Sequence, residues 1–398
     1  MIQIAVLGYG TVGSGVVEVL ETNQELIAKR AGQEINVKYV LDLRDFPGDK
    51  IQDKIVHDYD VIVNDPEIQV VVEVMGGIHP AYEFVKAALE AKKSVATSNK
   101  ALVAKHGAQL LAIAKEKNVN FFFEASVGGG IPIIRPMNTC LTADDVDEIS
   151  GILNGTTNYI LSKMFLEGLD FDTVLKDAQD KGYAERNPEA DVEGYDACRK
   201  IAILTSLTTG QQVNFEEIYT EGITKITAED MKYVHKMGKA VKLIATSRKE
   251  DGKIYAMVAP FLLDADHPLY SVNNVFNAIF VHGNMLGDAM FYGSGAGKLP
   301  TASAVVADVV DAVRQQDHVA VEWNETPLVL ADLKGAQRRF FVRVKGGLAE
   351  AETIFGSIEK WEQVVEGESG FITPMLSEKE FEEKAEKLSG MIHRIRLI

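Results

Sequence analysis

A short apolar run, Ile2-Gln3-Ile4-Ala5-Val6-Leu7, leads straight into Gly8-Tyr9-Gly10-Thr11-Val12-Gly13, and a helical pattern of Val16, Val17, Val19 and Leu20 follows. Strand, G-x-G-x-x-G turn and helix in that order constrain the chain more than any other feature. The first glycine permits a tight turn, the second lets a pyrophosphate approach the backbone, and the third lets the helix pack close to the strand. The helix start then offers free N–H groups and a favourable dipole to phosphates. Such a motif can also be only a packing turn between a strand and a helix. In this context it points to a dinucleotide, with Gly8, Gly10, Thr11, Val12 and Gly13 as the binding turn.

The alternation continues. Strand patterns at 35–41, 70–74, 93–97 and 119–123 interleave with helical patterns at 80–91 and 101–117. Strands and helices alternating in short units predict a parallel, doubly wound α/β sheet of the Rossmann type over residues 1–135. Ligands of such sheets gather at the carboxyl ends of the strands. The loops there are 8–13, 75–79 with Gly76, 98–100 and 124–130. Beyond 136 the pattern becomes α+β: a strand near 149–153, helices near 156–166, 171–181 and 190–209, then strands at 240–247, 253–263 and 276–292. This second domain runs to 316. Its closing apolar helix, about 300–316, is expected to complete the first domain. From 338 to 398 the order is β-α-β-β-α-β, a small ferredoxin-like module, with Ser377 and Glu380 spaced as a reciprocal helix cap.

The net charge of −17, spread along the chain, argues against a nucleic-acid partner. No apolar run reaches the length of a membrane span, and a strand beginning at residue 2 leaves no targeting segment expected. Two cysteines, Cys140 and Cys198, make no disulfide framework and fit a reducing, cytoplasmic setting.

Three groups of residues could carry chemistry. Lys100, just past a strand end, could meet a cofactor or a substrate carbonyl, or simply open the next helix. Gly182-Tyr183-Ala184-Glu185 leads to Asp191, Asp196 and Lys200, and the last two share a helix face at i and i+4. Three carboxylates and an ammonium could build a site for an amino-acid zwitterion; the alternative is a salt-bridged surface helix. Glu124 and the glycine turn after it could offer oxygens to a hard cation, or be no more than a turn.

Asn154-Gly-Thr-Thr-Asn158-Tyr-Ile-Leu, then Gly182–Glu185, Asp191-Val-Glu-Gly-Tyr-Asp196-Ala-Cys-Arg-Lys200 and Gly293-Ser-Gly-Ala-Gly297 resemble homoserine dehydrogenase, over residues 1 to about 316. The resemblance implies reduction of L-aspartate 4-semialdehyde to L-homoserine with NAD(P)H, on the route to threonine, isoleucine and methionine. It implies Lys200 as proton donor, Asp191 ordering the proton relay, and Glu185 and Asp196 holding the amino-acid end. It places Lys100 between nicotinamide and substrate, and Gly182 and Gly297 beside the cofactor. Glu124 with the carbonyls of Val127, Gly129 and Ile131 would match a sodium site. A homodimer or homotetramer is expected. The chemistry agrees, since hydride delivery builds negative charge on the aldehyde oxygen and a positioned ammonium stabilises it and supplies the proton.

Two departures stand out. At the end of the second strand, where an arginine commonly meets the 2′-phosphate of NADP, this chain has Asp42, with Arg44 two residues on. An acid there suits the ribose hydroxyls of NAD, which favours NAD unless Arg44 reaches back over the turn. The tail is similar to an ACT regulatory module, but its first turn is Gly346-Gly347-Leu348, without the usual Asp-x-x-Gly, so it is expected to serve assembly rather than feedback. The rival readings are another semialdehyde oxidoreductase, which would need a nucleophilic cysteine, and a non-catalytic amino-acid sensor.

Overall fold

The computed structural model describes residues 1–315 and 317–398, which form two compact units. The first comprises Met1–Asp145, Arg199–Phe215 and Phe291–Leu328; the second Val146–Cys198, Glu216–Met290 and Val329–Ile398.

In the first unit six strands, β1 (Ile2–Leu7), β2 (Ile35–Leu41), β3 (Ile55–Val56), β4 (Ile68–Glu73), β5 (Ser94–Thr97) and β6 (Phe121–Phe122), form one parallel sheet in the order β3-β2-β1-β4-β5-β6. This is the dinucleotide-binding order, which reverses between β1 and β4, so a crevice opens at their carboxyl ends. Val70, Val71 and Val72 are almost fully buried, as β-branched residues of a strand covered on both faces should be. Helices Thr11–Thr22 and Lys298–Arg314 pack together over one face, and their apolar sides share a core with Ile4, Val6, Val37 and Val72. The late helix thus belongs to the first unit, as expected. Position 316, its expected end, lies outside the described residues.

The second unit is built on a mixed sheet. β7 (Val146–Ile152) lies between Phe276–Gly283 and Ala240–Glu250, antiparallel to both, and Ala240–Glu250 pairs antiparallel with Lys253–Leu263. The expected single strand over 276–292 is two, Phe276–Gly283 and Gly287–Ser294, joined by a turn in which Gly287 takes a left-handed φ of +74°. Helix Gly155–Glu167 follows β7 directly. The single helix expected over 190–209 is broken into Glu189–Val192 and Tyr195–Thr209. Gly194, at φ +84°, makes the break.

The C-terminal segment has the expected β-α-β-β-α-β order: strands Gln337–Lys345, Glu359–Glu362, Glu368–Ile372 and Met391–Leu397, with helices Ala349–Phe355 and Glu378–Ala385. Ser377 and Glu380 form the reciprocal cap at the second helix. Read by position within the segment, the strands lie in the order fourth, first, third, second, all antiparallel. The segment belongs to the second unit rather than standing apart. Met391–Leu397 adds in parallel to Lys253–Leu263, with Phe261 opposite Arg396. A buried ion cluster reinforces the seam: Asp230, 0% exposed, accepts from Arg343 Nη1 at 2.6 Å and lies 3.0 Å from His393 Nδ1. Among the described residues no helix is long and apolar enough to cross a membrane.

Candidate active site

The glycine turn has the geometry its spacing predicts. Gly8 follows β1 at φ +96°, a conformation that disfavours any other residue. A Cβ on Gly13 would meet the Gly8 carbonyl oxygen at 1.9 Å, so only glycine lets the helix approach the strand this closely. A Cβ on Gly10 would meet nothing within 4 Å, and no side chain caps the N–H groups of helix Thr11–Thr22. The turn therefore offers open space and unclaimed donors where a pyrophosphate would lie, and Thr11 and Val12 open the helix. The residues present fit a nicotinamide dinucleotide.

Asp42, immediately after β2, lies beside this turn. Its Oδ2 accepts from Tyr9 N at 2.8 Å and Arg44 Nη2 at 2.9 Å, and its Oδ1 from Arg44 N at 3.0 Å and Arg44 Nε at 2.9 Å. The Arg44 side chain, with the backbone donors, holds the carboxyl far below the usual carboxylate range despite its burial. The expectation for Asp42 needs correction on this point. Its four lone-pair sites are filled, so a ribose hydroxyl binds only by displacing a donor. Arg44 does reach back over the turn, its Nη2 lying 3.3 Å from the Tyr9 carbonyl, and the negative charge that favoured NAD is compensated.

A second loop at the crevice is organised by Glu73, which sequence reasoning missed. This carboxylate ends β4, fully buried, and accepts from Thr97 Oγ1 at 2.6 Å, Met75 N at 2.8 Å and, more weakly, Gly76 N at 3.4 Å. Burial pushes its pKa up, opposed by these hydrogen bonds. Thr97 in turn accepts from Asn99 N, and Asn99 donates to the Gly77 carbonyl and caps helix Lys100–Lys117 through Leu102 N. The network fixes Gly76 (φ +79°) and Lys100, the first residue of that helix, at adjoining strand ends. A Thr and an Asn just before a helical pattern were the available signal. Gly297, at φ +124°, starts helix Lys298–Arg314 in the same unit.

The turn after β6 is organised by the Glu124 carboxylate. Both oxygens of the Glu124 carboxylate are taken by backbone N–H groups at the start of helix Ile134–Thr139: Ile133 at 2.6 Å, Ile134 at 2.8 Å and Arg135 at 2.7 Å. The side chain caps a helix and is spent, because three charge-assisted bonds satisfy it. Asp308 locks the same turn to the late helix, accepting from Glu124 N and from Arg135 Nη2. Val127, Gly129 and Ile131 follow in a buried turn, with Gly129 at φ +58°. Among the described residues no cluster of three or more His, Cys, Asp or Glu side chains could hold a metal.

In the second unit the acids converge. Asp191 lies on the one-turn helix Glu189–Val192 and Asp196 starts the next, yet Asn154 draws them together. Its Nδ2 donates to Asp191 Oδ1 at 2.7 Å and to Asp196 Oδ2 at 2.9 Å. Its Oδ1 caps helix Gly155–Glu167, accepting from Thr157 N at 2.8 Å. Thr156 Oγ1 donates to the Tyr183 carbonyl at 2.6 Å and so ties the 182–185 loop to the same helix start. Gly182 turns that loop at φ +74°. Glu185 is exposed, and its carboxylate makes no hydrogen bond or ion pair among the described residues. Lys200, 8% exposed, comes one helical turn after Asp196 on helix Tyr195–Thr209. Asn154 and Thr156 were visible as part of a motif but not as site residues, since neither side chain titrates.

A family model described as homoserine dehydrogenase matches residues 132–310, and one described as the homoserine dehydrogenase NAD binding domain matches residues 8–124. The chain is similar to the homoserine dehydrogenase of Bacillus subtilis (strain 168), 43% identical over 330 residues that cover 81% of this chain and 75% of the relative. A crystal structure of a homoserine dehydrogenase from Thiobacillus denitrificans superposes with a TM-score of 0.90 at 37% identity, covering 100% of this chain and 98% of the other. A hyperthermophilic archaeal homoserine dehydrogenase in complex with NADPH superposes with a TM-score of 0.67 at 30% identity, covering 78% and 97%. A dinucleotide turn, a crevice-edge lysine and a buried aspartate one turn before a second lysine thus occur in a chain that belongs to the homoserine dehydrogenase family of NAD(P)-dependent oxidoreductases.

Proposed function

We propose that this chain reduces L-aspartate 4-semialdehyde to L-homoserine with NAD(P)H, and that its residues divide the work as follows. The bound cofactor supplies the hydride. Gly8–Gly13 hold its pyrophosphate, and Gly76, Gly182 and Gly297 approach it with backbone alone. Glu185 and Asp196 bind the substrate's α-ammonium. Lys100 lies between nicotinamide and substrate, and Lys200 stabilises the developing alkoxide and delivers its proton, with Asp191 ordering the relay. In the direction of homoserine oxidation Lys200 must be neutral to accept that proton. The observation that carries this reading is the Asp191–Asn154–Asp196 arrangement ahead of Lys200. Carboxylates held together ahead of a lysine suit an amino aldehyde, whose α-ammonium pairs with an acid and whose carbonyl oxygen takes the lysine's proton.

Arg44 and Asp42 set cofactor choice between them, and both NADH and NADPH serve. A monovalent cation such as sodium would be held by the carbonyls of Val127, Gly129 and Ile131, with Glu124 contributing its carbonyl because its carboxylate caps a helix. The C-terminal segment is an ACT-like module that serves assembly into a homodimer or homotetramer, and the setting is cytoplasmic.

The test follows NAD(P)H absorbance with L-aspartate 4-semialdehyde, with and without phosphate. Phosphate-independent consumption supports the reading. In a parallel assay with NAD(P)⁺, cofactor reduction that requires phosphate and disappears in Cys198→Ser would replace it with an acyl-phosphate-forming dehydrogenase, which oxidises the aldehyde, and nucleotide binding without turnover in either direction would replace it with a sensor.

A further inference from the structure

The Asn154-Gly-Thr-Thr motif ends β7 and opens the next helix, so its side chain could be no more than a helix cap. The hydrogen bonds show two jobs. The amide oxygen faces Thr157, accepting from its N at 2.8 Å and its Oγ1 at 3.0 Å. The amide nitrogen faces away from the cap and divides its two N–H groups between Asp191 and Asp196. The orientation is dictated by chemistry, since two carboxylates can accept only from the NH₂ end. Asn154 is 5% exposed and Asp196 4%, so water competes little with the bond between them.

Two carboxylates meeting on one nitrogen repel each other. A lysine or arginine in place of Asn154 would relieve that repulsion and cancel the charge. The amide relieves it in part by giving each acid a donor. Gly194 breaks the chain between the acids, so helix geometry does not set their separation; the amide does.

We infer that Asn154 is a positioning residue for the reaction: it holds Asp191, which orders the proton relay, and Asp196, which receives the substrate's α-ammonium, on one amide nitrogen. The inference rests on the functional reading above and adds a residue to it.

Serine separates the two jobs. It caps a helix about as well as asparagine but offers one O–H donor on a shorter arm. Asn154→Ser should therefore keep a wild-type melting temperature to within a few degrees and wild-type NADPH affinity. Its KM for L-aspartate 4-semialdehyde should rise and its kcat fall, with kcat/KM down about tenfold or more, as for lost hydrogen bonds to charged groups. Asn154→Asp gives a second readout. Three carboxylates would then share the site and take up a proton, and a protonated Asp at 154 recovers one donor. Its activity relative to wild type should climb as pH is lowered. A folded Asn154→Ser enzyme with wild-type kcat/KM, or equal loss of NADPH binding in both variants, overturns the inference. Turnover by wild type, measured alongside, tests the functional reading separately.

Discussion

The Arg44 guanidinium grips both carboxylate oxygens of Asp42, Nε on one and Nη2 on the other, each at 2.9 Å. The pair closes over Tyr9 of the glycine turn, whose N–H also binds Asp42 and whose ring meets Phe46 edge-on. Asp42 is nearly covered, whereas the Arg44 side chain is 61% exposed. Exposure leaves the guanidinium free to turn, so the strength of the pair is limited by solvent screening.

Cofactor choice follows from that pair. A 2′-phosphate draws Arg44 off Asp42, whereas a free ribose diol must displace it. Asp42→Ala frees the guanidinium and should move kcat/KM towards NADPH; Arg44→Ala frees the carboxylate and should move it towards NADH. Steady-state kinetics with both cofactors check this, and shifts in the same direction in both variants would show that the pair does not set the choice.

Lys200 is asked to donate a proton in the transition state. Lys200→Ala should therefore lose about 10²–10⁴-fold in kcat, the range of general-acid catalysis, with unchanged cofactor affinity. Lys200→Arg should stay nearly as impaired, because a guanidinium keeps its proton at neutral pH. Near-normal kcat in either variant removes Lys200 from the mechanism.

Lys242 lies in the strand Ala240–Glu250, 1% exposed, and donates to the Val272 carbonyl, Asn273 Oδ1 and Asn158 Oδ1. Burial pulls its pKa down to about 8. The unfolded chain, with an ordinary lysine, binds the proton to higher pH, so stability should increase as pH rises from about 8 towards the unfolded value of about 10.5. Lys242→Met should flatten that slope. It should also destabilise by about 1–3 kcal/mol, because three buried acceptors lose their donor. Thermal melts of both proteins across that pH range provide the check.

Much of this was legible in the sequence because it depends on local spacing. The glycine turn, the Ser377–Glu380 cap and the one-turn offset of Asp196 and Lys200 are short-range patterns, and the structure has all three. What the sequence hid depends on contacts across long separations. Arg44 two residues beyond Asp42 looked like a neighbour rather than a ligand, because only the closed turn brings it back. Glu124 reads locally as an acid at a strand end, and only the fold shows that its carboxylate caps the helix that follows. The break at Gly194 was lost in an apolar pattern that continues on both sides. The C-terminal segment looked separate because its seam, which includes the Asp230 cluster and the pairs of Arg394 and Arg396 with Glu221, joins residues far apart in the chain. Asn154 carries no charge, and nothing local shows that an amide will meet two acids 37 and 42 residues on.

The central claim is that Glu185 and Asp196 recognise an α-ammonium while Lys200 serves the aldehyde. The most direct measurement compares kcat/KM for L-aspartate 4-semialdehyde with that for succinic semialdehyde, the same carbon chain without the amino group. Wild type should prefer the amino substrate by at least about a hundredfold, since a site built for a charged group rejects an analogue lacking it. Glu185→Gln should narrow that preference chiefly by raising KM for the amino substrate. Equal turnover of the two aldehydes by wild type, or a preference unchanged in Glu185→Gln and Asp196→Asn, would contradict the account.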